Sequence, residues 1–222
     1  MNPQLVITAD GSPTLYVDEW QEHYHSMHGA VQESRHVFIQ AGLIPASENS
    51  KQLQVLEIGL GTGLNALLTL DYALKNEIDI RYTALEPFPV STDILSHFAP
   101  EHLIALESGA TFFQALHQAA WETEIDLHPQ FHLLKIKTMV QHFLRDDYAD
   151  LIYYDAFSPR VQPDMWTIAI FQQMFQALKP KGILVTYCAK GDVRRALLNT
   201  GFKVERMQGP PGKREMLRGI KM

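Results

Sequence analysis

The sequence predicts an α/β fold built on an open, mostly parallel central sheet, and three observations carry that expectation. The apolar run Val55-Leu56-Glu57-Ile58 leads straight into Gly59-Leu60-Gly61-Thr62-Gly63 and then into the amphipathic segment Leu64 to Leu74. Strand, tight turn and helix start in that order open a nucleotide-binding α/β unit. Strand-length apolar runs then alternate with helix-length amphipathic segments to the end of the chain. The third observation is size: 222 residues, 46% of them hydrophobic and 20% charged, suffice for one well-filled core, and nothing marks a second domain.

Residues 4–8 and 14–17 flank the turn dipeptide Asp10-Gly11 and read as an N-terminal hairpin. Trp20 to His28 is rich in aromatic residues and histidines and reads as a cap over the site. His23, His25 and His28 lack the Cys or carboxylate cluster that a zinc centre uses, so no metal site is expected. A helix is predicted from Ala30 to Ala41, with Gly42 as its stop. Residues 1–50 thus form an N-terminal hairpin and cap helix, and 51–222 the core of a single domain. Strands are predicted at 53–58, 80–85, 131–136, 151–154 and 183–187. The intervening helices are placed at 64–74, 88–99, 111–121, 163–178 and 192–199, with a short helical or irregular piece joining 99 to 111. Residues 202–206 and 216–220 close the chain as an antiparallel pair.

The glycine spacing differs from the dinucleotide fingerprint G-x-G-x-x-G. Glu57 stands two residues before the first glycine, where its charge would repel a pyrophosphate but suit a cationic or neutral ligand. The second strand ends in Glu86, placed where a ribose needs an acceptor for its two hydroxyls. The fourth strand ends in Asp155-Ala156-Phe157-Ser158-Pro159. In an open α/β sheet ligands lie across the carboxyl ends of the central strands, so Asp155 should share a cleft with Glu57 and Gly59.

Charge is unevenly spread. The net charge is −6, yet Lys179 to Met222 holds 11 Lys/Arg against three acids, a net of +8 that leaves −14 for the first 178 residues. The asymmetry is read either as a basic surface for an anionic partner or as cations scattered on a solvated rim. The longest uncharged apolar stretch, Met165 to Leu178, is too short to span a bilayer. No export signal is read at the N-terminus. The single cysteine, Cys188, fits a reducing cytoplasm, the location expected.

The motif E-x-G-x-G-x-G at 57–63 resembles the first motif of S-adenosylmethionine (SAM) methyltransferases, whose ligand carries a sulfonium and no phosphate. Further stretches are similar to one branch of that family. They are Asp10-Gly11-Ser12-Pro13, Glu33-Ser34-Arg35-His36-Val37-Phe38, Glu86-Pro87-Phe88-Pro89 and Asp155-Ala156-Phe157-Ser158-Pro159. They continue with Pro163-Asp164-Met165-Trp166, Val193-Arg194-Arg195 and Gly212-Lys213-Arg214-Glu215-Met216-Leu217. In order and nearly end to end, the chain resembles the methyltransferase domain of the bacterial bifunctional enzyme that completes 5-methylaminomethyl-2-thiouridine at the tRNA wobble position, in a form without the flavin-dependent oxidase domain.

That resemblance implies a Rossmann-like class I SAM-dependent methyltransferase fold with an antiparallel C-terminal strand and a small N-terminal extension. It implies methyl transfer from SAM to the primary amine of 5-aminomethyl-2-thiouridine in tRNA. Lacking the oxidase domain, the chain would rely on a separate enzyme for the aminomethyl precursor. Glu57, Gly59, Gly61, Gly63, Asn65 and Glu86 are the candidate SAM-binding residues. Asp155 is the candidate catalytic residue, orienting the amine and holding charge. Phe157, Arg194, Arg195, Lys213 and Arg214 are the candidate substrate-binding residues. Residues 135–138 depart from the family, which usually has an acid there for the adenine amino group. Two rival functions remain: an aminopropyltransferase or other small-amine transferase on a similar fold, and a catalytically silent tRNA-binding protein.

Overall fold

The computed structural model describes residues 3–48, 50–98 and 109–222. Strands β1 (Gln4–Ile7), β2 (Pro13–Val17) and β3 (Glu22–His23) form a small antiparallel sheet of their own. Asp10 fixes the first turn: its Oδ1 accepts from Thr8 Oγ1 at 2.7 Å and Ser12 N at 3.0 Å. Oδ2 accepts from Gln32 N at 3.1 Å, which ties the hairpin to the helix that follows.

That helix, α1, is α-helical over Ala30–Ser34, π-wound over Arg35–Leu43 and α-helical again over Ile44–Ser47. It runs through Gly42 rather than stopping there. A Cβ at Gly42 would sit 3.0 Å from Val185 Cγ2 and 3.3 Å from Leu151 Cδ1, so the glycine lets the helix lie close against the sheet.

The remaining elements are β4 (Gln52–Ile58), α2 (Leu64–Asn76), β5 (Asp79–Leu85), α3 (Thr92–Leu95), α4 (Gly109–Gln118), β6 (Glu124–His128) and β7 (Phe131–Ile136). They continue with β8 (Ala149–Tyr154), α5 (Ile168–Ala177), β9 (Leu178–Thr186), α6 (Gly191–Asn199), β10 (Lys203–Gln208) and β11 (Glu215–Ile220). One eight-stranded sheet has the order β10-β11-β9-β8-β4-β5-β7-β6. Pairs among β4, β5, β7, β8 and β9 are parallel, while β6, β10 and β11 join antiparallel at the two edges. The α/β architecture with a mostly parallel sheet and an antiparallel C-terminal strand is as the sequence predicts.

Alternate residues of the central strands feed two apolar layers. Val55, Tyr82, Leu133, Leu151, Tyr153 and Val185 pack toward α1, α2 and α4. Leu56, Ile58, Leu85, Ile152, Tyr154 and Leu184 pack toward α5 and α6. Burial on both faces accounts for the near-continuous apolar runs of parallel strands. The chain passes from β4 outward to β5 and β7, and only later fills the other side with β8 and β9. The switch in strand order therefore falls between β4 and β8.

Several boundaries differ from the sequence expectation. Pro87 and Pro89 keep 86–91 out of a helix, and Ser91 caps only the single turn α3, accepting from Ile94 N at 3.4 Å. Ala99 and the expected join as far as 108 lie outside the described residues. Helix α4 ends before Trp121, which makes an isolated bridge to Lys135. The segment expected as one helix over 163–178 is a 3-10 turn (Pro163–Trp166) followed by α5. Extended Thr167 (ψ 159°) caps α5, accepting from Ile170 N at 3.4 Å. Edge strand β6 was not anticipated, although Glu124-Ile125-Asp126-Leu127-His128 alternates polar and apolar.

Candidate active site

A cavity of about 310 Å³ opens at the carboxyl ends of β4, β5 and β8, the position the strand-order switch dictates. Gly59 donates to Leu85 O at 2.9 Å and Asp155 N donates to Ile58 O at 3.1 Å, so the three strand ends are joined by backbone. Gly59 (φ 92°) has no room for a Cβ, which would lie 2.9 Å from Asp155 O. Gly61 (φ 51°) passes directly under Tyr24, whose ring would stand 3.1 Å from an added Cβ. Gly63 faces away from the cavity, where a Cβ would strike Leu116 at 2.8 Å.

Asn65, in the first turn of α2, holds two acids at once. Its Nδ2 donates to Glu57 Oε1 at 2.9 Å and to Asp155 Oδ2 at 2.8 Å. Glu57 is completely buried (0% exposed) and lies behind the glycine loop rather than on the cavity wall. Desolvation pushes its carboxyl well above the usual range, opposed by Asn65 and reinforced by the charge of Asp155. The Tyr82 hydroxyl adjoins this carboxyl without closing a well-formed hydrogen bond to it.

Asp155 does line the cavity. Withdrawal from water raises it from 3.8 to about 7; Glu33 adds to the rise, while Asn65 and Lys213 oppose it. Glu33 is itself buried: its Oε2 accepts from Ser26 N at 2.7 Å and its Oε1 pairs with Lys213 Nζ at 2.5 Å. The Lys213 ammonium lies 3.9 Å from the ring centre of Tyr187, another cavity-lining residue. Lys213 is thus turned inward from its Pro/Gly-rich loop and not spread on a surface.

At the end of β5, Glu86 Oε2 accepts from Gly61 N at 3.0 Å and Oε1 from Phe88 N at 2.9 Å. Burial raises this carboxyl above its ordinary value, against those two bonds. Beyond β7, Thr138 to Gln141 line the cavity. Lys135 points elsewhere: its Nζ donates to His117 O at 3.0 Å and sits 4.8 Å from the Trp121 ring centre, and burial lowers it to about 8. His117 Nε2 in turn donates to Thr62 O at 3.1 Å, bracing the glycine loop from behind; burial lowers this imidazole to about 4 and keeps it neutral.

Of the candidate residues, the cavity therefore gathers Gly59, Gly61, Asn65, Glu86, Asp155 and Phe157. Glu57 and Gly63 support it from behind. Arg194, Arg195 and Arg214 stand off it: Arg195 pairs with Asp192, and Arg214 is exposed with no ion pair among the described residues. The N-terminal segment contributes what the sequence did not specify, namely Trp20, Glu22, His23, Tyr24 and His25 on the cavity wall. The three histidines diverge. His23 packs on Tyr16 (4.7 Å between ring centres), His25 Nδ1 bonds Thr14 Oγ1 at 2.9 Å, and His28 packs against Gly212.

The profile of S-adenosyl-L-methionine-dependent methyltransferases matches residues 106–222, more than half of the chain. The chain is 30% identical over 223 residues to the tRNA 5-methylaminomethyl-2-thiouridine biosynthesis bifunctional protein MnmC of Delftia acidovorans, covering 95% of this chain and 34% of that one. It is 30% identical over 226 residues to the corresponding protein of Aeromonas hydrophila, covering 90% and 33%. It thus spans about a third of the length of these relatives. Among solved structures, MNMC2 from Aquifex aeolicus superposes with a TM-score of 0.80 at 25% identity, covering 98% of this chain and 70% of that one. Spermidine synthase from Thermotoga maritima, at 13% identity and a TM-score of 0.57, covers 99% of this chain and 68% of its own; it shares the fold alone.

Proposed function

The chain belongs to the S-adenosyl-L-methionine-dependent methyltransferase family, and on that premise we propose that it methylates the primary amine of 5-aminomethyl-2-thiouridine at the wobble position of tRNA. The observation that carries this reading is Asp155, a carboxyl drawn up to about 7 at the floor of the cavity and aimed by Asn65. The similarity to the MnmC proteins over nearly the whole chain supports the choice of substrate.

The residues present suit the cofactor. Gly59 and Gly61 line the cavity where a Cβ would strike Asp155 O and the Tyr24 ring, so the backbone there is bare toward a ligand, and Glu86 offers two carboxylate oxygens at the edge of this cradle for ribose hydroxyls. Gly59, Gly61, Asn65 and Glu86 would hold the cofactor, with Glu57 and Gly63 shaping the loop beneath. When bound, it supplies an electrophilic methyl group on a sulfonium.

Asp155 acts on the amine. An alkylammonium ordinarily titrates near 10.4 and a carboxyl near 3.9, so proton transfer between them in water is uphill by about 9 kcal/mol. With Asp155 at about 7 the gap falls to about 4–5 kcal/mol. Burial therefore turns a carboxylate that could only orient the amine into one that can also accept its proton. The lone pair thus freed attacks in line, and Asp155 balances the charge of the methylammonium product once it has passed the accepted proton on to water. Asn65 keeps the accepting oxygen aimed.

Arg214 and Arg195 would meet tRNA phosphates from the rim, whereas Lys213 belongs to the site through Glu33. The deciding experiment incubates the protein with labelled SAM and tRNA bearing 5-aminomethyl-2-thiouridine, then digests the tRNA to nucleosides. The expected product is 5-methylaminomethyl-2-thiouridine. Label found in no nucleoside, or in a nucleoside other than this one, would overturn the proposal.

A further inference from the structure

We propose that the target base is held against an aromatic wall made by Trp20, Tyr24 and Phe157, and that Arg160 sets this wall by fastening the N-terminal cap to the loop behind Asp155. The inference rests on the tRNA reading above.

Phe157 lies two residues beyond Asp155 and meets two rings from the cap edge to face. Its ring centre is 5.0 Å from that of Trp20 and 4.9 Å from that of Tyr24. All three rings line the cavity. Tyr24 is the inner member: it stands over Gly61, and its hydroxyl is pushed up to about 12 by burial and by the charge of Glu86, which puts it on the cofactor side. Trp20 is the outer member, between the exposed residues Glu19 and Gln21. The wall therefore leads from the rim down to the glycine loop.

A base in a tRNA loop reaches a buried carboxylate only when splayed out of its stack, and aromatic faces then replace the neighbours it has lost. The proposed substrate is a flat pyrimidine with an aminomethyl arm. Laid on this wall, its arm points toward Asp155, because Phe157 and Asp155 leave β8 on the same short loop.

The cap and that loop are distant in sequence, and besides the ring contacts they are joined by hydrogen bonds from Arg160 and Ser158. Arg160 Nη2 donates to Trp20 O at 2.8 Å, to Gln21 O at 3.2 Å and to Glu22 Oε2 at 2.6 Å. Ser158 Oγ donates to the same carboxylate oxygen at 3.2 Å. The pair is partly exposed and adds little to global stability. Its consequence is local: it fixes where the Trp20 backbone stands relative to Phe157. Arg160 is thus a positioning residue.

Steady-state methylation of tRNA bearing 5-aminomethyl-2-thiouridine tests this in Trp20→Ala, Trp20→Phe, Arg160→Ala and Arg160→Lys, with SAM affinity measured by calorimetry as a check of folding. Loss of one stacking face should raise KM for tRNA about tenfold while leaving kcat and SAM affinity within about twofold. Trp20→Phe should recover most of the loss. Arg160→Ala should raise KM by a smaller factor, and Arg160→Lys, whose ammonium offers three donors against the guanidinium's five, should restore part of it. If the unsubstituted protein labels the tRNA and Trp20→Ala keeps its KM, the wall is wrong and the substrate reading stands. If the unsubstituted protein labels no tRNA, the substrate reading falls and takes the wall with it.

Discussion

The substitution Asp155→Asn keeps an oxygen for Asn65 Nδ2 to donate to and deletes only the ionisable carboxyl, so it isolates what the buried charge costs. In the folded chain Asp155 titrates near 7, against 3.8 for an ordinary Asp. At about 1.4 kcal/mol for each pH unit, that rise amounts to at most about 4 kcal/mol. The sign follows from proton binding. Between about pH 4 and pH 7 the folded state holds this proton and the unfolded state does not, so stability declines as pH rises through that window. Above about 7 the whole penalty is present; below about 4 it vanishes. Asp155→Asn should therefore be more stable than the unsubstituted protein by about 2–4 kcal/mol at pH 8.5, or about 4–16 °C in Tm for a chain of this length, and the difference should shrink to about 1 kcal/mol or less at pH 4.5. Methyl transfer should fall by at least about a hundredfold. Urea denaturation at the two pH values gives the answer. A gain below about 0.5 kcal/mol at pH 8.5, or an equal gain at both, would refute a desolvated carboxylate at this site.

The same titration should govern catalysis: kcat/KM for tRNA should rise about tenfold per pH unit below about 7 and level off above it, and a flat profile from pH 5.5 to 8 would exclude Asp155 as proton acceptor. Glu86→Ala, which removes both oxygens from the cradle's edge, should weaken SAM binding by about 1.5–3 kcal/mol; unchanged affinity by calorimetry removes Glu86 from the cofactor site. Arg214→Ala should flatten the dependence of log K for tRNA on log salt by about 0.7–0.9 without altering Tm. Lys213→Ala should instead lower stability by about 1–3 kcal/mol, because it strands the buried Glu33 carboxylate. A Lys213 variant as stable as its parent would return that lysine to the solvated surface.

The floor of the site was legible because its parts are local or follow from topology. Gly59, Gly61 and Asn65 come from one strand–turn–helix unit. Glu86 and Asp155 end the strands on either side of β4, so the sheet order alone brings them to one cleft. The path of the helices was less legible where a residue serves packing instead of punctuation. Gly42 looks like a stop but is a close contact with Val185 and Leu151. Thr167 starts a helix four residues later than the Pro163 signal suggested.

What could not be read was the direction of long side chains across large sequence separations. Lys213 sits beside Arg214 in a loop that reads as a basic patch, and a chain of +8 over its last 44 residues invites a single electrostatic meaning. The two side chains part company because Glu33 arrives from α1 already committed by Ser26 N, leaving one carboxylate oxygen to be neutralised in a nearly dry setting. A buried acid recruits the nearest cation. Glu33 and Lys213 then act on Asp155 with opposite sign, one raising it and one lowering it. Removing Lys213 should therefore move the pH profile of kcat/KM upward and removing Glu33 should move it downward. Glu33→Gln, which keeps an acceptor for Ser26 N, is the cleaner of the two variants: its activity should persist to lower pH, and a profile unmoved by the change would show that Asp155 is tuned by burial alone.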